Sequence, residues 1–267
     1  LALVNAVVFG LGMIGGDWSS ASEFADAIFT DPSIMILPGR IAMVFFAVAT
    51  VILTYRLGLR LFSKTAGLVA ASLLALSPLH IAWSQVIRSD IMATFFMVAA
   101  MLASLTLLEG GRKRELVIAC GLCALAIASK WPFAVSLLSV LGALTLRRMR
   151  GVESQKDLLV KAGLAAGLSA VFVVCISPYL LIDYPTLFEN LRGEAQLHHL
   201  GATGRGLGAN IWFYLSGPIW VGAGPVALLL AIFGLARWTG QSSFWAVAGI
   251  PALAMLILIS AQNLTWE

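Results

Sequence analysis

Long apolar runs separated by short charged turns constrain this chain more than any other feature. A membrane-spanning helix needs about 20 predominantly apolar residues. Charged residues make up only 11% of the sequence, against about 25% in soluble domains. The sequence therefore predicts an all-α, polytopic transmembrane helical bundle of about eight spans. The apolar runs occupy residues 41–61, 66–79, 91–108, 116–128, 133–146, 162–181, 219–236 and 244–261.

The polar segments predict how the chain is organised around these runs. We expect a single domain over residues 1–267, with outer-face loops at 1–39 and 183–210 that include short interfacial helices. Lys and Arg concentrate in loops on the cytoplasmic side of a membrane protein. An alternating topology places 12 of the 17 basic residues together on that side. These are Arg56, Arg60, Lys64, Arg112, Lys113, Arg114, Arg147, Arg148, Arg150, Lys156, Lys161 and Arg237.

The opposite, outer side contains one unusually polar stretch, residues 77–90, between two apolar runs. It includes His80, Arg88 and Asp90. Ionisable side chains at a membrane boundary are costly to desolvate, which makes them functional-site candidates by default. The alternative for each outer cation is that it extends to lipid headgroups or pairs with a nearby acid. Both interpretations stay open for Arg88.

Two further outer positions are candidates for ligand binding. Lys130 ends an apolar run on the side that disfavours lysine, and the interfacial residue Trp131 follows it. A lysine at this place predicts an anionic ligand such as a lipid phosphate. His198 and His199 lie in the outer loop, and adjacent residues on a helix point in different directions. This geometry argues against a shared metal ion, and we expect no metal site. The imidazoles would suit hydrogen bonds to a sugar or phosphate equally well.

Several short motifs together resemble the polytopic GT-C glycosyltransferases. The nearest branch is the dolichyl-phosphate-mannose protein mannosyltransferase-like family, which includes the bacterial aminoarabinose transferases. The resemblance implies transfer of a sugar, with inversion, from a polyprenyl-phosphate donor to an acceptor outside the cytoplasm. The motifs are Arg40 opening a span, the segments 55–62 and 66–78, the pair Arg88-x-Asp90, and Lys130-Trp131-Pro132.

The resemblance also implies roles for particular residues and partners. We expect Arg88, Lys130 and Arg40, with His80, His198 and His199, to bind the substrate or its lipid phosphate. The expected partners are the donor, membrane lipids and an acceptor that is a protein, lipid or glycan, with no nucleic acid. No cofactor is expected, although a divalent cation stays open. The location implied is the plasma membrane of a bacterium or archaeon, with the active site facing outside.

One departure from that family concerns the catalytic carboxylate. In these enzymes it usually lies in the first outer loop, often as an Asp-Glu pair, and no Asp-Glu dipeptide occurs here. We therefore expect this chain to be a fragment that lacks the first span and the catalytic loop. Asp90 matches the second acidic position of the family, which supports the site. A membrane transporter or lipid flippase, and a purely structural membrane subunit, remain alternatives.

Overall fold

The computed structural model describes residues 2–194, 206–237 and 240–261, and every regular element within them is helical. The all-α prediction is confirmed. A 3₁₀ helix (Trp131–Ser136) and a π-helical turn (Trp245–Gly249) accompany the α-helices. These are α1 (Ala2–Gly15), α2 (Ala21–Thr30), α3 (Ser33–Leu61), α4 (Lys64–Ala75), α5 (Pro78–Ser84), α6 (Ser89–Gly110), α7 (Lys113–Ser129), α8 (Leu137–Met149), α9 (Gln155–Ile176), α10 (Tyr179–Ile182), α11 (Tyr184–Glu194), α12 (Leu207–Ser216), α13 (Pro218–Arg237), α14 (Ser242–Phe244) and α15 (Ile250–Ala261).

The number of membrane spans is five to seven in the part of the chain that the structure describes. Five continuous helical stretches are long and apolar enough to cross a membrane: α3, α6, α9, Trp131–Met149 and Ser242–Ala261. Two bent pairs add one span each, α4 with α5 at 59° and α12 with α13 at 61°. The remaining predicted run forms α7, whose 17 residues reach about 26 Å. This is at the lower limit of the about 17–25 residues that a membrane span needs, and Lys130, directly after α7, reaches Asp90 at the start of α6.

Small polar residues fix where the helices begin and end. The first backbone N–H groups of a helix have no intrahelical acceptor. The hydroxyls of Ser63, Ser77 and Ser154 accept hydrogen bonds from such groups at the starts of α4, α5 and α9. Gly111 ends α6 in the left-handed region, at φ 70°, where a residue without Cβ is favoured. These serines and Gly111 place the chain reversals between the apolar runs.

Helix α6 lies in the interior of the bundle and packs against α3, α7 and α8. One of its faces contributes Met101 and Leu105 to a buried cluster with Leu146 of α8. The opposite face contributes Leu107 to a second cluster that includes Cys120 of α7. Several contact positions are small residues without exposed surface, which lets membrane helices approach closely. They include Ala100, Ala119, Ser104, Ser139 and Ala143.

The outer surface of the bundle is apolar. Phe45 is 66% exposed, Leu229 67% and Ile232 64%. Exposed apolar surface on this scale marks contact with a membrane or a partner. Together with the lengths of the helices, it defines an integral membrane protein.

The carboxyl-terminal end of α6 is held by a buried ionic cluster. Arg147 of α8 donates from Nη1 to the carbonyl of Leu108 at 2.8 Å and from Nε to Glu153 Oε1 at 2.6 Å. Lys161 of α9 donates to the same carboxylate oxygen at 2.7 Å. Burial raises the pKa of Glu153, but the hydrogen bonds from Lys161 and Arg147 outweigh it, and the pKa lies below its ordinary value of 4.5. The cluster therefore ties three helices together near the turn that follows α6.

Candidate functional site

The site begins at a short helix that the sequence itself caps. Ser77 is the N-cap of α5, with its hydroxyl accepting from the N–H of His80, and Pro78 occupies the first helical position. Proline is favoured there because that N–H would be unpaired in any case. The helix ends after Ser84, and the chain then runs through Arg88 into α6. This short connection places His80, Trp83 and Arg88 close to the start of α6.

Asp90 lies in the first turn of α6. A negative charge is favoured there by the partial positive charge at a helix N-terminus. The carboxylate accepts from Lys130 Nζ at 2.5 Å and from Arg88 Nε at 3.2 Å. Both of its oxygens are therefore bound to cations. Asp90 fixes two positive groups relative to each other.

Lys130 reaches Asp90 from a different part of the fold. It follows the last residue of α7 in an extended conformation, before the 3₁₀ helix that starts at Trp131. The break between α7 and this helix forms the reversal from which the lysine side chain extends to α6. Forty residues separate the two partners in sequence.

Trp83 holds the second cation. The guanidinium carbon of Arg88 lies 4.4 Å from the centre of a Trp83 ring, which is within the range of a cation–π interaction. The side chains of Arg88, Asp90 and Lys130 are 43%, 34% and 37% exposed. They are thus partly desolvated yet still open to a ligand. Two cations and one carboxylate leave an excess of one positive charge.

These groups line one cavity of about 460 Å³. Its walls are mixed, since apolar residues from α4, α5 and α6 surround the charged groups. Thr94, one turn after Asp90, also lines it and donates its hydroxyl to the Asp90 carbonyl at 2.8 Å. The lining residues are Leu74, Ser77, Leu79, His80, Trp83, Arg88, Asp90, Ile91, Thr94 and Lys130. The size suits a sugar or a phosphate group, and the excess charge favours an anion.

His80 lines the cavity, but one of its ring nitrogens faces the helix behind it. Nε2 lies 3.3 Å from the carbonyl oxygen of Ala47 in α3. This contact connects α5 to α3. A role of His80 in substrate binding stays a prediction. Such binding would use Nδ1, since Nε2 contacts the Ala47 carbonyl.

Arg40 is not brought to the same cavity. It lines a separate cavity of about 700 Å³ together with Pro78, Ile81, Ala82 and Gln85. Those residues form one face of α5, whereas His80 and Trp83 belong to the face that borders Asp90. The helix therefore separates Arg40 from the ion pair. The predicted binding of a lipid phosphate by Arg40 would therefore take place in a different cavity from the one that Arg88 and Lys130 line.

Two predicted site residues and the predicted absence of a metal site remain. His198 and His199 fall outside the described residues. Within the described ranges no group of three or more His, Cys, Asp or Glu side chains could hold a metal ion. Independence of a metal cofactor stays a prediction.

Two residues of the site were not singled out from the sequence. Trp83 stands five positions before Arg88, and Thr94 stands four after Asp90. The second spacing places Thr94 on the face of α6 that carries Asp90. That periodicity was the available signal for Thr94. The contact between Trp83 and Arg88 depends on the turn between α5 and α6, which no local pattern specifies.

The candidate site and the basic loops lie at opposite ends of α6. The Asp90 site lies at the amino-terminal end of α6, while Glu109, paired with Arg60 at 2.7 Å, and the Arg147 cluster lie at its other end. The 22 residues of α6 separate these ends by about 33 Å. Site and basic loops therefore occupy opposite ends of the helices.

Helices and site together define a polytopic α-helical membrane protein with a cationic cavity at one end of its bundle. The family model for dolichyl-phosphate-mannose-protein mannosyltransferase matches residues 24–182, more than half of the chain. The chain belongs to this family, and its family membership implies a membrane glycosyltransferase of the GT-C type. Among curated proteins and solved structures, nothing matches the chain significantly. The matched region contains Arg88, Asp90 and Lys130.

Proposed function

We propose that the protein transfers a sugar from a polyprenyl-phosphate donor to an acceptor on the non-cytoplasmic side of the membrane, with inversion at the anomeric carbon. The observation that carries this proposal is the ion-paired group Arg88–Asp90–Lys130 on the wall of a cavity. It lies within the region that the family model matches.

The charges of the site suit the leaving group of such a reaction. The donor phosphate is a diester with one negative charge. When the bond between the anomeric carbon and the phosphate oxygen breaks, the electron pair stays on that oxygen and a second charge develops. Fixed cations that point to this oxygen stabilise the transition state more than the bound donor. Lys130 and Arg88 are the cations that Asp90 fixes.

Asp90 itself supports the site and does not take the proton. Both of its oxygens already accept hydrogen bonds from cations, so neither is free to accept a proton from the acceptor hydroxyl. The acceptor hydroxyl must lose a proton as its oxygen attacks the anomeric carbon. A different carboxylate has to accept it. This agrees with the expectation, based on the resemblance, that the base belongs to a first outer loop.

Two observations support the sidedness and the class of activity. The site and the majority of basic loop residues occupy opposite ends of the bundle, and such loops are cytoplasmic as a rule. The transporter, flippase and structural-subunit alternatives do not account for membership in a transferase family.

The test is sugar transfer by the purified full-length protein in proteoliposomes, followed as release of polyprenyl phosphate. Lys130→Met and Asp90→Asn should each slow release at saturating donor. Glu109→Gln is the matched control, because it breaks a comparable ion pair with Arg60 at the other end of α6. Release at the parent rate in both site variants would refute the assignment.

A further inference from the structure

Helix α13 is broken at the point where it meets α5. Gly224 leaves the helical region at φ 76° and ψ 161°, and Pro225 follows it. Proline has no N–H, and a residue outside helical geometry interrupts the regular bonds. The break therefore interrupts the regular hydrogen bonding of the preceding turn, which includes Gly222. A carbonyl in such a turn needs another partner when it is removed from water.

Ser77 supplies that partner for Gly222. Its hydroxyl donates to the Gly222 carbonyl at 2.5 Å, while the same oxygen accepts from the N–H of His80 at 3.3 Å. One hydroxyl thus caps α5 and fastens its first residue to the broken turn of α13. The contact with Gly222 joins two segments that lie 145 residues apart in sequence.

The approach of the two helices requires a glycine at position 222. A Cβ on this residue would lie 2.8 Å from Leu79 Cβ and 2.9 Å from Leu79 Cδ2. Carbon atoms in ordinary contact are about 3.5–4.0 Å apart. Any side chain at Gly222 would therefore push Leu79, and with it α5, away from α13.

A displacement of α5 would reach the cation site directly. The helix has only seven residues, too few to be stable without external contacts. It carries Trp83, whose ring supports Arg88, and the chain continues from it into Asp90. Its position depends on the His80 contact with α3 on one side and the Ser77–Gly222 contact on the other.

We propose that Gly222 and Ser77 are positioning residues that dock α5 on the break of α13 and so hold Arg88 in place at the sugar-transfer site. This inference rests on the proposed function. It extends the site beyond residues 24–182, where the family match ends. Gly222 lines no part of the cavity that contains Asp90, so its effect would be exerted through Leu79 and α5.

The experiment combines hydrogen–deuterium exchange of the α5 segment with steady-state sugar transfer, both on the purified protein in lipid. Gly222→Ala should raise exchange in residues 78–84 without raising it in α8, and kcat/KM should fall about 10-fold or more because of the misplaced cation. Gly234→Ala is the matched control on the same helix, since a Cβ there meets nothing within 4 Å. It should change neither measurement.

The serine gives a second, independent variant. Ser77→Ala should raise exchange of α5 and lower kcat/KM, and Ser77→Thr should restore most of the loss because threonine keeps the hydroxyl and is an accepted N-cap residue. Equal losses in Ser77→Ala and Ser77→Thr would show that the hydroxyl is not responsible and would overturn this part of the proposal.

Two results for Gly222→Ala would overturn the proposal as a whole. Unchanged exchange of α5 would show that α13 does not dock it, and increased exchange with unchanged kcat/KM would show that docking does not position the site. Failure of the proposed function is seen separately, either as no sugar transfer by the parent protein or as the parent rate in both Lys130→Met and Asp90→Asn. The exchange measurement would then still decide whether Gly222 docks α5.

Discussion

Replacing Lys130 and Asp90 singly and together tests whether the aspartate acts through the lysine. The Nζ–Oδ1 distance is 2.5 Å, and no intervening group separates the two charges. Lys130→Met removes a cation that would stabilise the developing phosphate charge, while methionine keeps the apolar length of the side chain. Asp90→Asn keeps the shape of the carboxylate but removes the charge that holds Lys130 and Arg88.

The size of each effect follows from these contacts. Loss of one preorganised donor at a developing oxyanion costs a factor of about 100–1,000 in rate. Loss of the anchor leaves the lysine present but less well placed, for which we expect about 10-fold. Independent effects would multiply to at least about 1,000-fold in the double variant. Asp90 positions a lysine that the double variant lacks, and Arg88 is still held there by the Trp83 ring. We therefore expect the double variant to stay near the loss in Lys130→Met alone.

The assay is release of polyprenyl phosphate from a lipid-linked sugar donor at saturating concentration, for the parent, both single variants and the double variant. The expected coupling is about tenfold, or about 1.4 kcal/mol. Glu109→Gln controls for the loss of an ion pair as such. A double variant whose losses multiply fully would refute the argument, since Asp90 would then act independently of Lys130.

Three further predictions concern the opposite end of the bundle and the sidedness of the site. Gly111→Ala should lower the free energy of unfolding, measured by denaturation in detergent, by roughly 3 kcal/mol more than Gly151→Ala. Both glycines have positive φ, but only a Cβ at Gly111 would displace the buried Arg147 guanidinium. Equal losses in the two variants would refute this. Because the pKa of Glu153 is lowered in the folded protein, the stabilisation that its carboxylate contributes is full above pH 4.5 and is lost as the pH falls through the folded-state pKa. The difference in Tm between the parent and Glu153→Gln should therefore shrink below pH 4.5. A difference that stays constant with pH would contradict this. Val86 lies in the connection between α5 and α6 and is 44% exposed. A cysteine at this position, in a background without the exposed native Cys175, should react with an impermeant maleimide in intact cells, whereas labelling only after permeabilisation would refute the outer location.

Much of the site could be anticipated from local sequence because its residues lie close together along the chain. Arg88 and Asp90 are two positions apart at the start of a helix, and a short connection of this kind brings them into contact wherever the helix packs. The predicted apolar run 66–79 crossed Ser77 and Pro78, although their own chemistry marks the start of α5. Local signals of this kind need no knowledge of which helices are neighbours.

The partners of these residues could not be anticipated in the same way. The pairing of Lys130 with Asp90 requires α7 and α6 to be adjacent and in a particular vertical register. The separation of Arg40 from the cavity depends on which face of α5 turns inward. Gly222 showed no signal in the sequence beyond being one of 25 glycines, and its role depends on a contact with a segment far away in the chain.

The sequence by itself determined that this chain is a bundle of membrane helices with a polar stretch, residues 77–90, between two apolar runs. Hydrophobic length and the cost of burying charge act on each segment separately, so they can be evaluated one segment at a time. Tertiary structure alone decided which cation meets Asp90 and which backbone turn supports α5. In a membrane the apolar effect does not favour one helix neighbour over another, and close packing with polar contacts makes that choice. The Lys130–Asp90 pair and the Ser77–Gly222 contact are two results of that choice.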